Sequence, residues 1–339
     1  MKLVGLRMAA SVLLAGIALA GIRPAVAQDF YKGKTLTIIV GFTPGGGFDL
    51  NARLLARYIG NYIPGAPTVI VQNMPGAGSL TSVRHLQAVA PKDGTVITTF
   101  NFGLISQSRL TPQKVPLDFR KFAWIGSISQ DLSVCYVWHT LGVKDLADLK
   151  THKNLHFGLT VVGANEDIQT RILKSVFGVD VHQVSGYPGS AEERLAVERG
   201  ELDGGCGAWS SIPEEWINKH LISAMYRSAD IVPPDMSPDV PYMLDLAATD
   251  RDRDVIRVLV SSGDVGRPYI ASPAVPADRI KILRDAFGAA VKDPHFAADA
   301  QKERLPVSPK VGEEAAKTVA AIYAAPDDVV AAARKVVTQ

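Results

Sequence analysis

The chain has 339 residues, of which 47% are hydrophobic and 21% are charged. Lys2, Arg7 and Arg23 lie in the first 27 residues, so the remainder carries 36 − 3 = 33 basic side chains against 34 acidic ones. Such a balance gives no reason to expect nucleic acid or an anionic membrane surface as a partner. The remaining 339 − 27 = 312 residues exceed the size at which single cores usually stop growing, so two domains are expected.

The first 27 residues have the pattern of a secretory signal peptide. A basic start precedes an apolar run over residues 8–21, and Ala25 and Ala27 are small at the positions that a signal peptidase reads. The run is shorter than the ~20 apolar residues that a spanning helix needs. The sequence therefore predicts cleavage before Gln28 and an exported, soluble protein.

Cys135 and Cys206 are the two cysteines of the chain. Export makes a disulfide between them possible. Buried free thiols flanked by apolar residues are also common, however, and the sequence leaves both states open.

Strand and helix patterns alternate along the first part of the chain. Residues 35–40 are β-branched and almost all apolar, which predicts a strand buried on both faces within a parallel sheet. Helical spacing of apolar residues over 50–62 predicts an amphipathic helix. The pattern then repeats, with strands predicted at 68–72 and 95–100 around a helix near 80–89. These β-loop-α units indicate an α/β sheet.

The rest of the chain repeats this pattern, and a loop rich in proline and aspartate at 232–241 interrupts it. Strands are predicted at 133–138, 154–160, 181–185 and 256–261, and helices at 167–176, 191–199, 277–291, 312–323 and 326–337. Two sheets of this type favour two α/β lobes with a cleft between them. The predicted division places 28–128 and 258–339 in lobe 1 and 129–257 in lobe 2.

Two glycine-rich loops each follow a predicted strand and precede a predicted helix. The first runs from Phe42 to Asp49, and the second from Asn73 to Ser79. Glycines let the backbone approach a ligand closely, and a helix start directs free N–H groups toward an anion. Asp49 would either cap its helix or lie at the ligand. Because ligands of open α/β sheets bind at such strand ends, the two loops predict backbone binding of a carboxylate.

Two further strand ends would face these loops from the second lobe. Residues 160–165 follow one predicted strand, and Tyr187 follows the next. They offer hydroxyl, amide and N–H groups. Tyr187 would either contact the ligand or pack within its lobe.

Patterns typical of catalysis and metal binding are weak. His152 and His156 are four residues apart, but they flank a turn and a strand rather than lying on a helix. Neither a G-x-S-x-G elbow nor an H-E-x-x-H motif occurs. We therefore expect no enzyme activity, no catalytic residues, no metal site and no cofactor.

The motifs together resemble the periplasmic receptors of tripartite tricarboxylate transporters, also called Bug receptors. The resemblance covers essentially the whole chain after residue 27. It is carried by the segments 42–53, 73–78, 91–95, 186–187, 198–203 and 273–276. It implies a two-lobed type II periplasmic binding protein fold of the α/β class, which closes on its ligand like a flytrap.

The resemblance also implies which residues meet the ligand, with one carboxylate held by the first two glycine loops. The ligand-binding candidates are Phe42, Thr43, Gly46, Gly47, Asp49, Gly78, Ser79, Asn101, Thr160, Gly163, Ala164, Asn165 and Tyr187. Two positions depart from the family's pattern. Ser79 replaces a usual glycine, and Val161 and Val162 occupy a loop that is often rich in serine and glycine.

The function implied by the resemblance is that of a monomeric periplasmic receptor that delivers a small carboxylate to membrane transporter subunits. The alternative is a sensor that presents the carboxylate to a membrane signalling receptor. An exported hydrolase would need a nucleophile and a base, which the sequence does not bring together.

Overall fold

The computed structural model describes residues 30–159, 163, 165–187 and 190–338. The predicted signal peptide at 1–27 lies outside these residues. The strands are β1 Thr35–Val40, β2 Thr68–Asn73, β3 Val96–Thr99, β4 Ala123–Ser127, β5 Ser133–Trp138, β6 Leu155–Leu159, β7 Val181–Ser185, β8 Gly204–Ala208, β9 Ile222–Arg227, β10 Pro268–Ala271 and β11 Lys310–Val311. The α-helices are α1 Gly47–Ile59, α2 Leu80–Ala88, α3 Gly103–Leu110, α4 Leu146–Leu149, α5 Asn165–Ser175, α6 Ser190–Glu198, α7 Glu214–Asn218, α8 Asp250–Val260, α9 Ala277–Ala290, α10 Pro294–Lys302, α11 Gly312–Tyr323 and α12 Asp327–Thr338.

The first sheet has the strand order β11-β4-β10-β3-β1-β2. β1 pairs in parallel with both β2 and β3, as predicted for a strand of a parallel sheet. The pairs that β10 and β11 form are antiparallel, so the sheet as a whole is mixed. Val40 lies opposite Asn73 on one side and Thr99 on the other. The carboxyl ends of three strands therefore meet at one edge of the sheet, and the glycine loops begin there.

The second sheet has the order β7-β6-β8-β5-β9. β6 is parallel to β7 and β8, whereas β5 is antiparallel to β8 and β9. Cys135 of β5 lies directly opposite Cys206 of β8, and a disulfide joins them. The register of two antiparallel strands thus decides a pairing that the sequence left open.

Helices cover both faces of each sheet. On the first sheet, α1, α9 and α10 pack on one face and α2, α3 and α11 on the other. On the second sheet, α5, α8 and α12 share one core with β6, and α6 and α7 pack on the opposite face. Among the described residues, no helix is both long enough and apolar enough to cross a bilayer.

The strand predicted at 256–261 is wrong, because these residues continue and end α8. The Thr249 side chain accepts a hydrogen bond from the Asp252 N–H at the start of this helix. The buried residues Val255, Ile256 and Leu259 follow helical spacing rather than alternation. The chain instead re-enters the first sheet at β10. The exact lobe boundaries remain a prediction.

Candidate functional site

The first glycine loop is fixed from inside by a buried carboxylate. Gly45 has φ +87°, and its N–H donates to Asp49 Oδ2 at 2.8 Å. Arg53 donates to both Asp49 oxygens, from Nε at 2.9 Å and from Nη2 at 3.0 Å. Asp49 therefore holds the loop and does not cap α1, whose N-cap is Gly46. Gly46 and Gly47 are exposed at the helix start, where the first N–H groups have no intrahelical acceptor.

The second glycine loop is tied to the first through the last residue of β2. Asn73 Nδ2 donates to Asp49 Oδ1 and to the carbonyl of Phe42, both at 2.9 Å. The Phe42 ring stacks on Phe48 with centroids 4.5 Å apart, and Thr43 beside it is exposed. One carboxylate thus fixes the position of both loops, and a ligand does not need to order them.

The hydrogen bonds to Asp49 shift its titration. Burial acts to raise the pKa of this carboxyl, but the bonds from Arg53, the Gly45 N–H and Asn73 outweigh it and hold the pKa below the usual 3.8. A lowered pKa in the folded state stabilises the protein above the unfolded-state pKa. That stability is lost as the pH falls below 3.8 and through the folded-state pKa.

We expect Asp49→Asn to lower the free energy of unfolding by about 2 kcal/mol at pH 7, since it removes charge-assisted hydrogen bonds. Urea unfolding followed by circular dichroism measures the change. The difference in the free energy of unfolding between wild type and variant should shrink as the pH is lowered below about 4. Asp49 of the wild type is protonated first in the unfolded state, and below its folded-state pKa it is protonated in both states. A gap that is constant from pH 3 to pH 7 would contradict this role of the charge.

The buried side chain of Ser79 supports the second glycine loop from inside the protein. It is fully buried with φ +74°, and its Oγ accepts a hydrogen bond from the Asn101 N–H at 2.9 Å. Asn101 Oδ1 in turn accepts from the Gly103 N–H at the start of α3. Gly78 is exposed next to Ser79. Of these candidates, Gly78 is open to a ligand, whereas the Ser79 side chain holds two strand ends together.

The second lobe repeats the arrangement around Asp49. Gly163 has φ +86°, and its N–H donates to Asp167 Oδ2 at 2.7 Å. Arg171 Nε donates to Asp167 Oδ1 at 2.6 Å, and Gln183 Nε2 of the neighbouring strand donates to the same oxygen at 2.8 Å. Asp167 is as buried as Asp49. Both lobes therefore present a strand-end loop that a buried aspartate holds through a glycine N–H.

The sequence analysis treated each loop separately and did not identify this repeated arrangement of glycine, aspartate and arginine. The signal is the spacing Gly-x3-Asp-x3-Arg, which occurs as Gly45…Arg53 and as Gly163…Arg171. In each case an amide side chain on the next parallel strand completes the network. The same set of contacts thus supports a loop after β1 and a loop after β6.

Asn165 connects the second-lobe loop to the segment between the sheets. Its Nδ2 donates to Asp131 Oδ2 at 3.2 Å and to Ser133 Oγ. Ser133 Oγ also donates to Asp131, at 2.9 Å. The predicted candidates Thr160 and Ala164 lie outside the described residues.

A hydrogen bond joins the first-lobe helix α3 to the second-lobe loop. Gln107 of α3 donates from Nε2 to the Gly163 carbonyl at 2.9 Å.

Tyr187 is partly buried against the cluster that contains Tyr136 and Trp216. Burial raises the pKa of the Tyr187 hydroxyl, and the nearby Glu201 adds to the shift. The contacts that the structure gives for Tyr187 are therefore packing contacts within its lobe.

The sequence analysis did not identify Arg267, whose guanidinium lies between the first glycine loop and Asp131. Arg267 precedes β10, its side chain is 15% exposed, and Nη1 lies 3.4 Å from Asp131 Oδ1. The guanidinium carbon lies 4.6 Å from the centroid of the Phe48 ring. A Cβ added to Gly47 would lie 3.5 Å from Arg267 Nη2. Arg267 thus connects the first glycine loop to Asp131 and, through it, to Asn165.

A cavity of about 680 Å³ opens between the lobes beside this guanidinium. Its lining includes Asp131 and Arg267, together with residues 209, 210, 212, 214, 217 and 218 and residues 301 and 304–308. This volume lies in the range of small-molecule sites, ~300–1,000 Å³. Trp209 belongs both to the core of its lobe and to this lining, and its Nε1 donates to Asp235 at 2.9 Å.

The histidines of the predicted turn do not form a metal site with their neighbours. His152 Nδ1 lies 3.2 Å from the Asp148 carbonyl oxygen, whereas His156 stacks on His182 with ring centroids 5.9 Å apart. Within the described part of the chain, no three side chains of histidine, cysteine, aspartate or glutamate are grouped to hold a metal.

Comparison with known protein sequences finds distant relatives. The chain is 26% identical over 279 residues to an Agrobacterium vitis protein of the UPF0065 group, encoded in the TAR-I ttuE-ttuC' intergenic region, and the match covers 80% of this chain and 75% of the relative. It is 28% identical over 240 residues to the protein BugT of Bordetella pertussis, covering 68% and 71% of the two chains. No family model matches the chain.

Solved structures share the whole fold. A TctC solute-binding protein from Polaromonas superposes with a TM-score of 0.69 at 15% identity, and the periplasmic binding protein BugD with 0.65 at 19%. Each match covers 90% of this chain and 98% of the other. MatC of Rhodopseudomonas palustris with bound malate gives 0.64 at 19%, covering 90% and 99%. The predicted two-lobed fold and the resemblance to Bug receptors are confirmed.

Proposed function

We propose that the chain is a periplasmic receptor that captures a small carboxylate between its lobes and delivers it to a membrane transporter. The observation that carries the proposal is the start of α1, where Gly46 and Gly47 are exposed and Gly47 lies beside the Arg267 guanidinium. Free N–H groups of a helix start and a guanidinium both favour an anion. The malate bound to MatC is consistent with a carboxylate ligand.

The buried aspartates explain why such a site would bind without a large ordering cost. Asp49 and Asp167 fix the two facing loops before any ligand arrives. A ligand then spends its interaction energy on closing the lobes, and it favours the closed state by its differential affinity for that state. The predicted signal peptide and the similarity to the periplasmic protein BugD support the same compartment.

The test begins with expression of the full chain in a bacterium and recovery from the periplasmic fraction, where the mature protein should begin at Gln28. Bound ligand is removed by unfolding and refolding, and thermal shift is then measured with a panel of carboxylates and their neutral amides. A carboxylate at a hundredfold excess over Kd should stabilise the folded state by about 2.7 kcal/mol. Equal shifts with carboxylates and amides would contradict anion binding. Retention of the uncleaved chain in the cytoplasm would contradict the periplasmic location.

A further inference from the structure

One edge of the Arg267 guanidinium is unused. Nη1 donates to the Gly266 carbonyl at 2.8 Å and faces Asp131. Nε is buried and has no acceptor, and Nη2 makes no hydrogen bond to the described residues. The main chain of Arg267 is fixed, because its N–H donates to Ser127 Oγ at 3.1 Å and its carbonyl accepts from the Ile128 N–H. The side chain thus starts from a rigid strand end and carries two free donors on one edge.

The Nε–Nη2 edge is the side-on fork that binds a carboxylate through two parallel hydrogen bonds. The chain already uses this fork at Arg53, where Nε and Nη2 hold Asp49 at 2.9 and 3.0 Å. At Arg267 the same edge faces Gly47, and a Cβ there would lie 3.5 Å from Nη2 and 4.0 Å from Nε. Glycine at this position keeps a Cβ out of the space next to this edge, where the buried Nε has no acceptor.

The charges along the cavity favour one carboxylate over two. Asp131, Glu214 and Asp235 line it against Arg267 and Arg304, so its acidic side chains outnumber its basic ones. Arg304 Nη2 already lies 3.3 Å from Glu214 Oε2. A second carboxylate next to this pair would meet the negative charge of Glu214 and a guanidinium that already has a partner. Repulsion and lost solvation would oppose its binding.

The walls of the cavity are apolar in several places on both lobes. Apolar side chains in the lining include Trp209, Ile212, Ile217, Pro233, Leu305 and Val307. Such walls favour a ligand that buries apolar surface, at roughly 25 cal/mol per Å².

We propose that Arg267 binds the ligand carboxylate through its Nε–Nη2 edge, and that the ligand is a monocarboxylate whose apolar body fills the cavity. Asp131 keeps the guanidinium oriented from the Nη1 side and leaves the fork to the ligand. This proposal rests on the proposed function of the same cleft and adds the ligand class and the residue that selects it.

Isothermal titration calorimetry of the refolded protein tests this proposal. It compares the affinities for three monocarboxylates, phenylacetate, benzoate and 4-methylpentanoate, with those for two dicarboxylates, succinate and adipate. Phenylacetamide serves as the uncharged form of phenylacetate. We expect at least one of the three monocarboxylates to bind more tightly than either dicarboxylate. Arg267→Gln should weaken its binding by about 10- to 100-fold, and Arg267→Lys by less, because lysine keeps the charge but loses the fork.

Arg227→Gln is the matched control. Arg227 is 12% exposed, its guanidinium lies over the Tyr242 ring, and its Nε also has no acceptor among the described residues. It is not part of the cavity lining, so its loss should cost stability and leave the Kd of the monocarboxylate within about threefold of wild type. Phenylacetamide should bind wild type and Arg267→Gln equally weakly.

Three outcomes would overturn the proposal, and they are distinguishable. Undiminished affinity in a folded Arg267→Gln protein would remove Arg267 from the site and leave the proposed function standing. Tighter binding of succinate or adipate than of all three monocarboxylates would overturn the ligand class. No binding of any carboxylate by wild type, in this set or in the wider panel, would overturn the proposed function together with this proposal.

Discussion

Loss of the Cys135–Cys206 disulfide is expected to lower the free energy of unfolding by about 4 kcal/mol. The bond closes a loop with a sequence separation of 71 residues, and a cross-link of this span removes much conformational freedom from the unfolded chain. Both cysteines are buried, at 0% and 4% exposure, so reductant should act only after the second lobe opens. The bond should therefore resist reduction under native conditions and break readily in urea.

Urea unfolding with and without a phosphine reductant measures this effect. The Cys135→Ala/Cys206→Ala double variant should match the reduced wild type to within the cost of the two lost sulfurs. Reductant should not change the unfolding midpoint of that variant. An oxidised and a reduced wild type with the same midpoint would show that the bond contributes no net stability.

Glu193 is expected to make the second lobe less stable as the pH rises. Its side chain is 3% exposed and lies over the strands, because a Cβ on Gly158 would overlap Glu193 Cγ and one on Gly205 would lie 2.6 Å from Oε1. Burial raises the pKa of Glu193 from 4.5 to about 7, and the negative charge of Glu166 adds to the shift. Glycines on two neighbouring strands thus make room for a carboxyl that favours its neutral form.

A raised pKa in the folded state gives stability that is complete below the unfolded-state pKa of 4.5 and is lost as the pH rises through about 7. The difference of 7 − 4.5 = 2.5 units corresponds to about 3 kcal/mol. Glu193→Gln should therefore match wild type near pH 4 and exceed its free energy of unfolding by about 3 kcal/mol at pH 9. Urea unfolding at a series of pH values measures both limits.

Glu192→Gln provides the control on the same helix, because Glu192 is exposed one residue away. The difference between this variant and wild type in the free energy of unfolding should not show the rise of about 3 kcal/mol that is expected for Glu193→Gln. If the free energy of unfolding of Glu193→Gln changed with pH in the same way as that of wild type, the buried carboxyl would be solvated or paired at high pH.

The parts of the fold that the sequence predicted are those that local pattern determines. β1, β5 and β7 have the predicted bounds, and each of the two glycine loops follows a strand and precedes a helix as predicted. β8 was missed because Gly204-Gly205-Cys206-Gly207 resembles a loop. A side chain at position 204 would overlap the Tyr136 carbonyl oxygen, and a Cβ at position 205 would lie 2.6 Å from Glu193 Oε1, so this strand needs glycine at both positions. That reason is tertiary and has no local signature.

The candidate site also has parts that the sequence predicts and parts that only tertiary contacts determine. Loops that bind through the backbone are visible in sequence, because glycine and a helix start mark them. The roles of Asp49 and Ser79 as internal supports depend on which atoms they contact. Arg267 was missed because the strand that positions it was predicted elsewhere, at 256–261. A side chain can be assigned to a cleft only when its strand has been placed in the sheet.

The position of α12 has a consequence for the order of folding. Val330 and Ala333 of this helix lie in the same core as Cys135 and Phe157, although α9, α10 and α11 of the first-sheet side come between them in the chain. This core of the second sheet is therefore incomplete until α12 packs against it. Contacts so distant in sequence form slowly, so the chain should stay open to proteases and chaperones until α12 has packed.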